Sequence, residues 1–260
     1  MNIEGIGKPL ALIISDKELK KGEKKDKPRV ISVEPDPKKV QFFLPTIDVK
    51  EHEHIQLCPN TDQERDILYI TGASGSGKSF FTKKYLEQYH HTFPKRPIYM
   101  FSSLNDDKTL DSIKYLKRVQ LTPELLSEDL GVQDFKDSLV IFDDTDCLQD
   151  KRMKLKINGI LNVLLETGRH YNVSLIYTSH LATAGNDTKR ILNECNSITI
   201  FPASLGGRTL KYLLESYLGL DKHQIKKIKK TDSRAITICK SFPMIVLENK
   251  KAYCIKDIEN

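Results

Sequence analysis

One octet narrows the choice of fold for this 260-residue chain more than any other feature. Gly72, Ala73, Ser74, Gly75, Ser76, Gly77, Lys78 and Ser79 fit the pattern G-x-x-x-x-G-K-[ST]. The pattern carries meaning only between a strand and a helix, and both signals are present. Residues 67–71 (ILYIT) form an apolar β-type run, and a helix-forming stretch opens at Gly77 and ends near His90 and His91. In that setting glycines let the backbone wrap a phosphate chain without Cβ clashes, the loop N–H groups point inward, and the helix N-terminus adds a favourable dipole. Lys78 is then expected to reach the β- and γ-phosphates of ATP and Ser79 to ligate Mg2+, with the nucleotide-contacting stretch running on to Phe80. The plainer alternative is a glycine-rich turn, which would need neither flanking element.

Two further apolar runs end in polar groups. Residues 138–144 (SLVIFDD) read as a buried strand closing on two acids. Asp143 is expected to hold Mg2+, and Asp144 to orient or deprotonate an attacking water, with Asp146 an outside candidate for that role. A buried strand ending in a solvated turn is the alternative. Residues 174–180 (SLIYTSH) end in Thr178, Ser179 and His180, each able to offer a hydrogen bond to a γ-phosphate. Arg169 precedes that strand. It either complements a helix dipole or acts as an arginine finger on a neighbouring subunit's ATP. Arg208 and Arg234 are further finger candidates.

Around these motifs the chain reads as strand–helix alternation. Strands are expected at residues 67–71, 98–102, 139–142, 174–178 and 197–201. A helix at 153–167 carries Ile157, Ile160, Leu161, Leu164 and Leu165 on one face, with Gly168 at the left-handed position past its end. Another helix is expected after the capping pair Asn186 and Asp187. The fold class is therefore α/β, with a mostly parallel sheet and its ligand at the carboxyl ends of the strands. Residues 1–62 read as a small β-rich N-terminal extension, with short runs at 10–14, 29–33, 40–44 and 54–57 and a charged loop at 20–27. Residues 63–205 read as the P-loop ATPase core, and residues 206–260 as helices and a strand pair (235–239, 244–247) that complete it. In that last part Lys222, Lys226 and Lys229 share one helical face and Ile225 and Ile228 another. The lysine face is either a phosphate-tracking surface or an ordinary solvated one. His52 and His54 would share one face of a strand as metal ligands, but an exposed strand is the simpler reading.

Composition excludes little. No apolar run approaches the roughly 20 residues of a membrane span, and the N-terminus lacks a basic-then-apolar leader. The five cysteines form no C-x-x-C pair, which favours neither a disulfide framework nor a zinc site. The net charge of +6 permits contact with nucleic acid without demanding it.

The order GASGSGKS, LVIFDDTD and ETGRHYNVSLIYTSH, followed by FPASLGGRTLKYLLESYLGLDKHQIKKIKK and SRAITICKSFP, resembles the FtsK–HerA superfamily of DNA-pumping ATPases. Within it the sequence is similar to the genome-packaging branch of large DNA viruses and virophages. The likeness spans residues 67–246 and implies a RecA-like P-loop core, Mg2+ and ATP as cofactors, and a homo-oligomeric, hexamer-type ring. It further implies double-stranded DNA as the moved partner, and capsid portal or membrane-associated capsid proteins as docking partners. The expected location is the host-cell cytoplasm at the virus factory, or the virion. Asp144 stands where the family usually has a glutamate, one methylene longer. Rival classes are weaker. The chain has no N-K-x-D guanine reader and no L-S-G-G-Q before the second motif. A small-molecule kinase and a non-hydrolysing, ATP-gated DNA-binding or scaffold module are the alternatives kept.

Overall fold

The computed structural model describes residues 1–17, 27–61, 65–183 and 186–255. The charged loop expected at 20–27 lies, apart from Lys27, outside the described residues, as does the boundary placed between 62 and 63. In chain order the elements are β1 (Lys8–Ser15), β2 (Arg29–Val33), β3 (Thr46–Asp48), β4 (Glu53–Leu57) and β5 (Ile67–Thr71). Next come α1 (Lys78–Thr92), β6 (Ile98–Ser102), β7 (Leu116–Val119), β8 (Leu139–Asp143), α2 (Lys151–Thr167), β9 (Ser174–Ser179), α3 (Asn186–Glu194) and β10 (Ser197–Ile200). The tail holds α4 (Gly207–Tyr212), continued by a π-helical turn over Leu213–Tyr217, then α5 (Lys222–Lys229), β11 (Ile236–Cys239), β12 (Ile245–Leu247) and β13 (Lys251–Cys254).

Ten strands form one sheet in the order β3-β13-β12-β11-β10-β5-β9-β8-β6-β7. The strands from β10 to β7 run parallel, and β11, β12, β13 and β3 extend the sheet antiparallel. The fold is thus α/β with a mostly parallel sheet. Strand β9 sits between the octet's strand β5 and the acidic strand β8, so all three deliver their carboxyl ends to one place.

Alternation along the central strands divides the core in two, as a period of two requires. Tyr69, Phe142 and Tyr177 face one hydrophobic cluster, which takes Ile157, Leu161 and Leu164 from α2. Leu68, Ile70, Ile141 and Ile176 face the other, which takes Tyr85, Leu86 and Tyr89 from α1. Ala11, Ile13, Ile31 and Ile55 belong to that second cluster. The three-stranded sheet β2-β1-β4 of the N-terminal extension therefore packs over the α1 side of the core.

The expected strand at 40–44 does not form. Residues Pro37–Lys39 make a 3-10 turn, Phe42 is 63% exposed, and the strand lies later, at β3, paired with β13. Pro45 lacks an N–H and restrains Leu44, so the run that reads as β-type cannot continue a ladder. The pair of closing strands is a set of three, because β13 joins β11 and β12. Helix α2 begins two residues before the expected start, where Asp150 accepts hydrogen bonds from the backbone N–H of Arg152 and Met153. Helix α3 already includes Asn186 and Asp187 in its first turn.

Gly168 is also not in a left-handed position. Its φ is −58°, and the chain runs on as a 3-10 turn to Asn172, which takes the positive φ of 56°. The reason for a glycine here is space: a Cβ would stand 2.8 Å from Nη1 of Arg65. That guanidinium donates to the carbonyl oxygens of Leu164 (2.6 Å) and Leu165 (2.5 Å) in the last turn of α2. Replacing Arg65 by Ala should lower stability by about 1.5–3 kcal/mol, the usual worth of hydrogen bonds from a charged donor. Urea unfolding should show the midpoint falling with an unchanged slope.

Candidate functional site

The octet follows β5, and Gly77, just before α1, takes a conformation with φ 117° that only glycine adopts readily. A Cβ there would also approach the Phe201 ring to 3.3 Å. Because Gly77 offers no side-chain cap, the first N–H groups of α1 stay available to an anion. Within the cradle the buried Ser76 hydroxyl has no hydrogen-bond partner among the described residues.

Lys78 is buried, and its ammonium is engaged. Nζ donates to the Gly72 carbonyl (3.0 Å) and to Nδ1 of His180 (3.0 Å), and lies 3.7 Å from Oδ2 of Asp144. The other imidazole nitrogen, Nε2, is 2.9 Å from that same carboxylate oxygen. With Nδ1 accepting from an ammonium, the ring proton belongs on Nε2, donated to Asp144. His180 thus bridges the cation of the loop and the second acid of β8.

The two acids differ in setting. Asp143 is buried at the end of β8, where Oδ2 accepts from Ser102 (2.9 Å) and Oδ1 from Thr178 (2.9 Å). Burial, then the neighbouring Asp144 charge, push its carboxyl above the usual range, and the two hydroxyl hydrogen bonds pull it back. Asp144 has φ 48°, a left-handed conformation costly for a residue with a side chain. Its backbone N–H donates to Oγ1 of Thr178 (3.0 Å), which locks the turn.

The remaining expected residues divide. Ser79 donates to Oδ2 of Asp107 (2.8 Å). Ser179 is fully buried and committed to Asp146 (2.8 Å) and the Leu181 carbonyl (2.9 Å), so of the three groups closing β9 it is His180 that meets Lys78. Arg169 is exposed in the turn before β9, at the amino end of the strands, about 20 Å of strand length from the octet. Arg208 is exposed in the first turn of α4. Arg234 lies on its own P-loop, where one edge of its guanidinium donates to the carbonyls of Ser76 (2.8 Å) and Gly75 (3.0 Å). His54 is paired with Asp16 (2.6 Å), and His52 falls in the turn before β4.

Sequence reasoning missed Asp107 and Ser102. Ser102 closes β6 beside β8 and faces Asp143 by register alone. Asp107 had a local signal: its Oδ1 accepts from the N–H of Thr109 (2.7 Å) and Leu110 (3.0 Å), an Asx turn. Ser79, Asp143 and Asp107 present only hydroxyl and carboxylate oxygens, the donor set Mg2+ takes. Together with the open first turn of α1 and the unpartnered Ser76 hydroxyl, this arrangement fits a Mg2+-triphosphate.

No family model matches the chain. Over 185 residues it is 40% identical to "Uncharacterized protein V3" of Sputnik virophage, an alignment covering 70% of this chain and 74% of that protein. Among solved structures it is similar to the genome packaging NTPase B204 from Sulfolobus turreted icosahedral virus 2 in complex with ATP-gammaS, at 13% identity and a TM-score of 0.49, over 70% of this chain and 97% of that one. It is also similar to the pCW3 conjugation coupling protein TcpA in its monomer form with ATPgS, at 12% identity and a TM-score of 0.46, over 87% and 72%.

Proposed function

The chain belongs to one family with protein V3 of Sputnik virophage, and we propose that it is a Mg2+-dependent ATPase that drives double-stranded DNA into a viral capsid as a homo-oligomeric ring. The observation that carries the ATPase reading is the Lys78–His180–Asp144 cluster, assembled at the carboxyl ends of β5, β9 and β8 beside an uncapped helix N-terminus. The DNA-packaging reading rests on the motif resemblance and on the virophage relative. Residues 63–205 are the motor core and residues 1–62 its extension; within 206–260, β11, β12 and β13 continue the sheet, and β3 of the extension closes its edge. The ring works in the host-cell cytoplasm, docked on a capsid portal or a membrane-associated capsid protein. Among the described residues no helix is long and apolar enough to cross a membrane.

Hydrolysis asks each group for a distinct task. The γ-phosphate takes over the Lys78 ammonium, displacing its contacts to Gly72 and His180. Ser79 and Asp143 would hold Mg2+, which would supply positive charge to offset the charge of the phosphates. Asp144, released from Lys78, orients the attacking water and accepts its proton. His180 keeps its Nε2–H on Asp144, while Nδ1, an acceptor in this tautomer, is released when Lys78 moves to the phosphate.

Steady-state phosphate release with and without linear duplex DNA tests the reading, with Lys78→Ala as the inactive control. DNA-stimulated turnover supports it. Turnover indifferent to DNA would remove the translocase, and phosphate transfer to an added nucleotide would favour a kinase. For the DNA contact, Lys222, Lys226 and Lys229 are all exposed on α5, on a face beside the one that buries Ile225 and Ile228. Changing the three lysines to Gln should weaken DNA binding and flatten its log–log salt dependence by about 0.9 per lost phosphate contact. An unchanged slope would make this face ordinary surface.

A further inference from the structure

We propose that the cleft between α1 and the N-terminal sheet binds the nucleoside half of the nucleotide, so that the extension, rather than the motor motifs, helps select a purine. This rests on the ATP reading of the P-loop and deepens it. The cleft has a volume of about 1620 Å³ and is lined by Gly77 and Phe80 on the motor side and by Ser15, Ile55 and Gln56 on the N-terminal side. Its third wall comes from the tail, at Arg234 and Asn249.

Continuity with the phosphate cradle assigns the occupant. With Lys78 serving the β- and γ-phosphates, the α-phosphate and sugar must leave along the first turn of α1. The other flank of the loop is filled by His180 and Asp144, both in contact with Lys78. The open flank is the one that Gly77 shares with the cleft. At the mouth stands Phe80, an aromatic ring 60% exposed directly after the octet, with Nζ of Lys84 5.8 Å from its centroid. An exposed ring at the exit of a phosphate site offers a stacking face, and the larger π-surface of a purine uses it best. The walls are held to the motor: Gln56 donates to the Lys84 carbonyl of α1 (2.9 Å), and Arg234 to the loop carbonyls of Gly75 and Ser76. Closing the cleft on a base therefore pulls on the same backbone that cradles the phosphates.

Calorimetric titration of the full chain with ATP and, separately, with inorganic tripolyphosphate tests this. Phe80→Ala should weaken ATP about tenfold, the low end of what one base–aromatic stack contributes, and leave tripolyphosphate unchanged. Ser15→Trp, which fills the cleft from the N-terminal sheet without touching the loop, should do the same to a larger degree. Unchanged ATP affinity in both variants overturns the proposal, and so does an equal loss for both ligands, which would mean a distorted loop. A wild-type chain that binds tripolyphosphate and ATP equally well also overturns it while leaving the P-loop intact. One that binds neither overturns the ATP reading itself.

Discussion

Asp144→Asn is expected to bind ATP at least as tightly as the native chain and to hydrolyse it about 10²–10⁴-fold more slowly, the usual worth of a positioned general base. The substitution keeps the shape of the turn. An asparagine tolerates the left-handed φ of 48°, and its backbone N–H still reaches Thr178. Its side-chain oxygen can still accept from Nε2 of His180, 2.9 Å from Oδ2 in the native chain. What disappears is one negative charge 3.7 Å from the Lys78 ammonium. Removing it reduces repulsion toward a triphosphate, so affinity should rise or stay level while kcat collapses. Single-turnover quenching with equilibrium binding on the same sample separates the two effects. If kcat stays normal, the water belongs to another acid, and Asp146, hydrogen-bonded to Ser179, is the one to change next.

The parts of this site that could be read from the sequence are those whose signal is local or repeats in the strands. Strands β5, β8 and β9 are buried at every position, so they read as unbroken apolar runs, and the chemistry sits where each run stops. The octet is legible because a tight phosphate loop needs glycines at fixed offsets. Edge strand β7 was missed because Lys117 and Arg118 interrupt any apolar pattern, and β3 because it is only three residues long. The false strand at 40–44 had the right composition but abutted Pro45, and composition alone does not decide pairing. Asp107 and Arg234 were illegible as partners of the P-loop for a different reason. Their contacts span 28 residues to Ser79 and 158 to Ser76, and no spacing rule reaches that far. Arg234 read only as a further finger candidate. Two loop carbonyls in its own chain hold one edge of its guanidinium against the P-loop.

Arg169→Ala should bind ATP normally, form rings, and lose about 10³–10⁵-fold in turnover if its guanidinium completes a neighbour's site. It sits at the amino end of the parallel sheet, while the octet sits at the carboxyl end, so a strand's length separates it from its own Lys78. It is exposed and lies outside both hydrophobic clusters, so losing it opens no cavity. A large loss of activity with an unchanged unfolding midpoint would therefore require a target outside the chain. Three measurements pin that target. Specific activity of the native protein should rise with concentration as rings form. Arg169→Ala alone should be inactive at every concentration. Mixed with Lys78→Ala, it should regain part of the activity, because some interfaces then join an intact P-loop to an intact arginine. Mixed rings that form and stay inactive would exclude Arg169. The same complementation would then be run with Arg208, exposed in the first turn of α4 directly after Gly206 and Gly207. A finger must come from a surface free to meet the next subunit, and Arg208 is exposed on one.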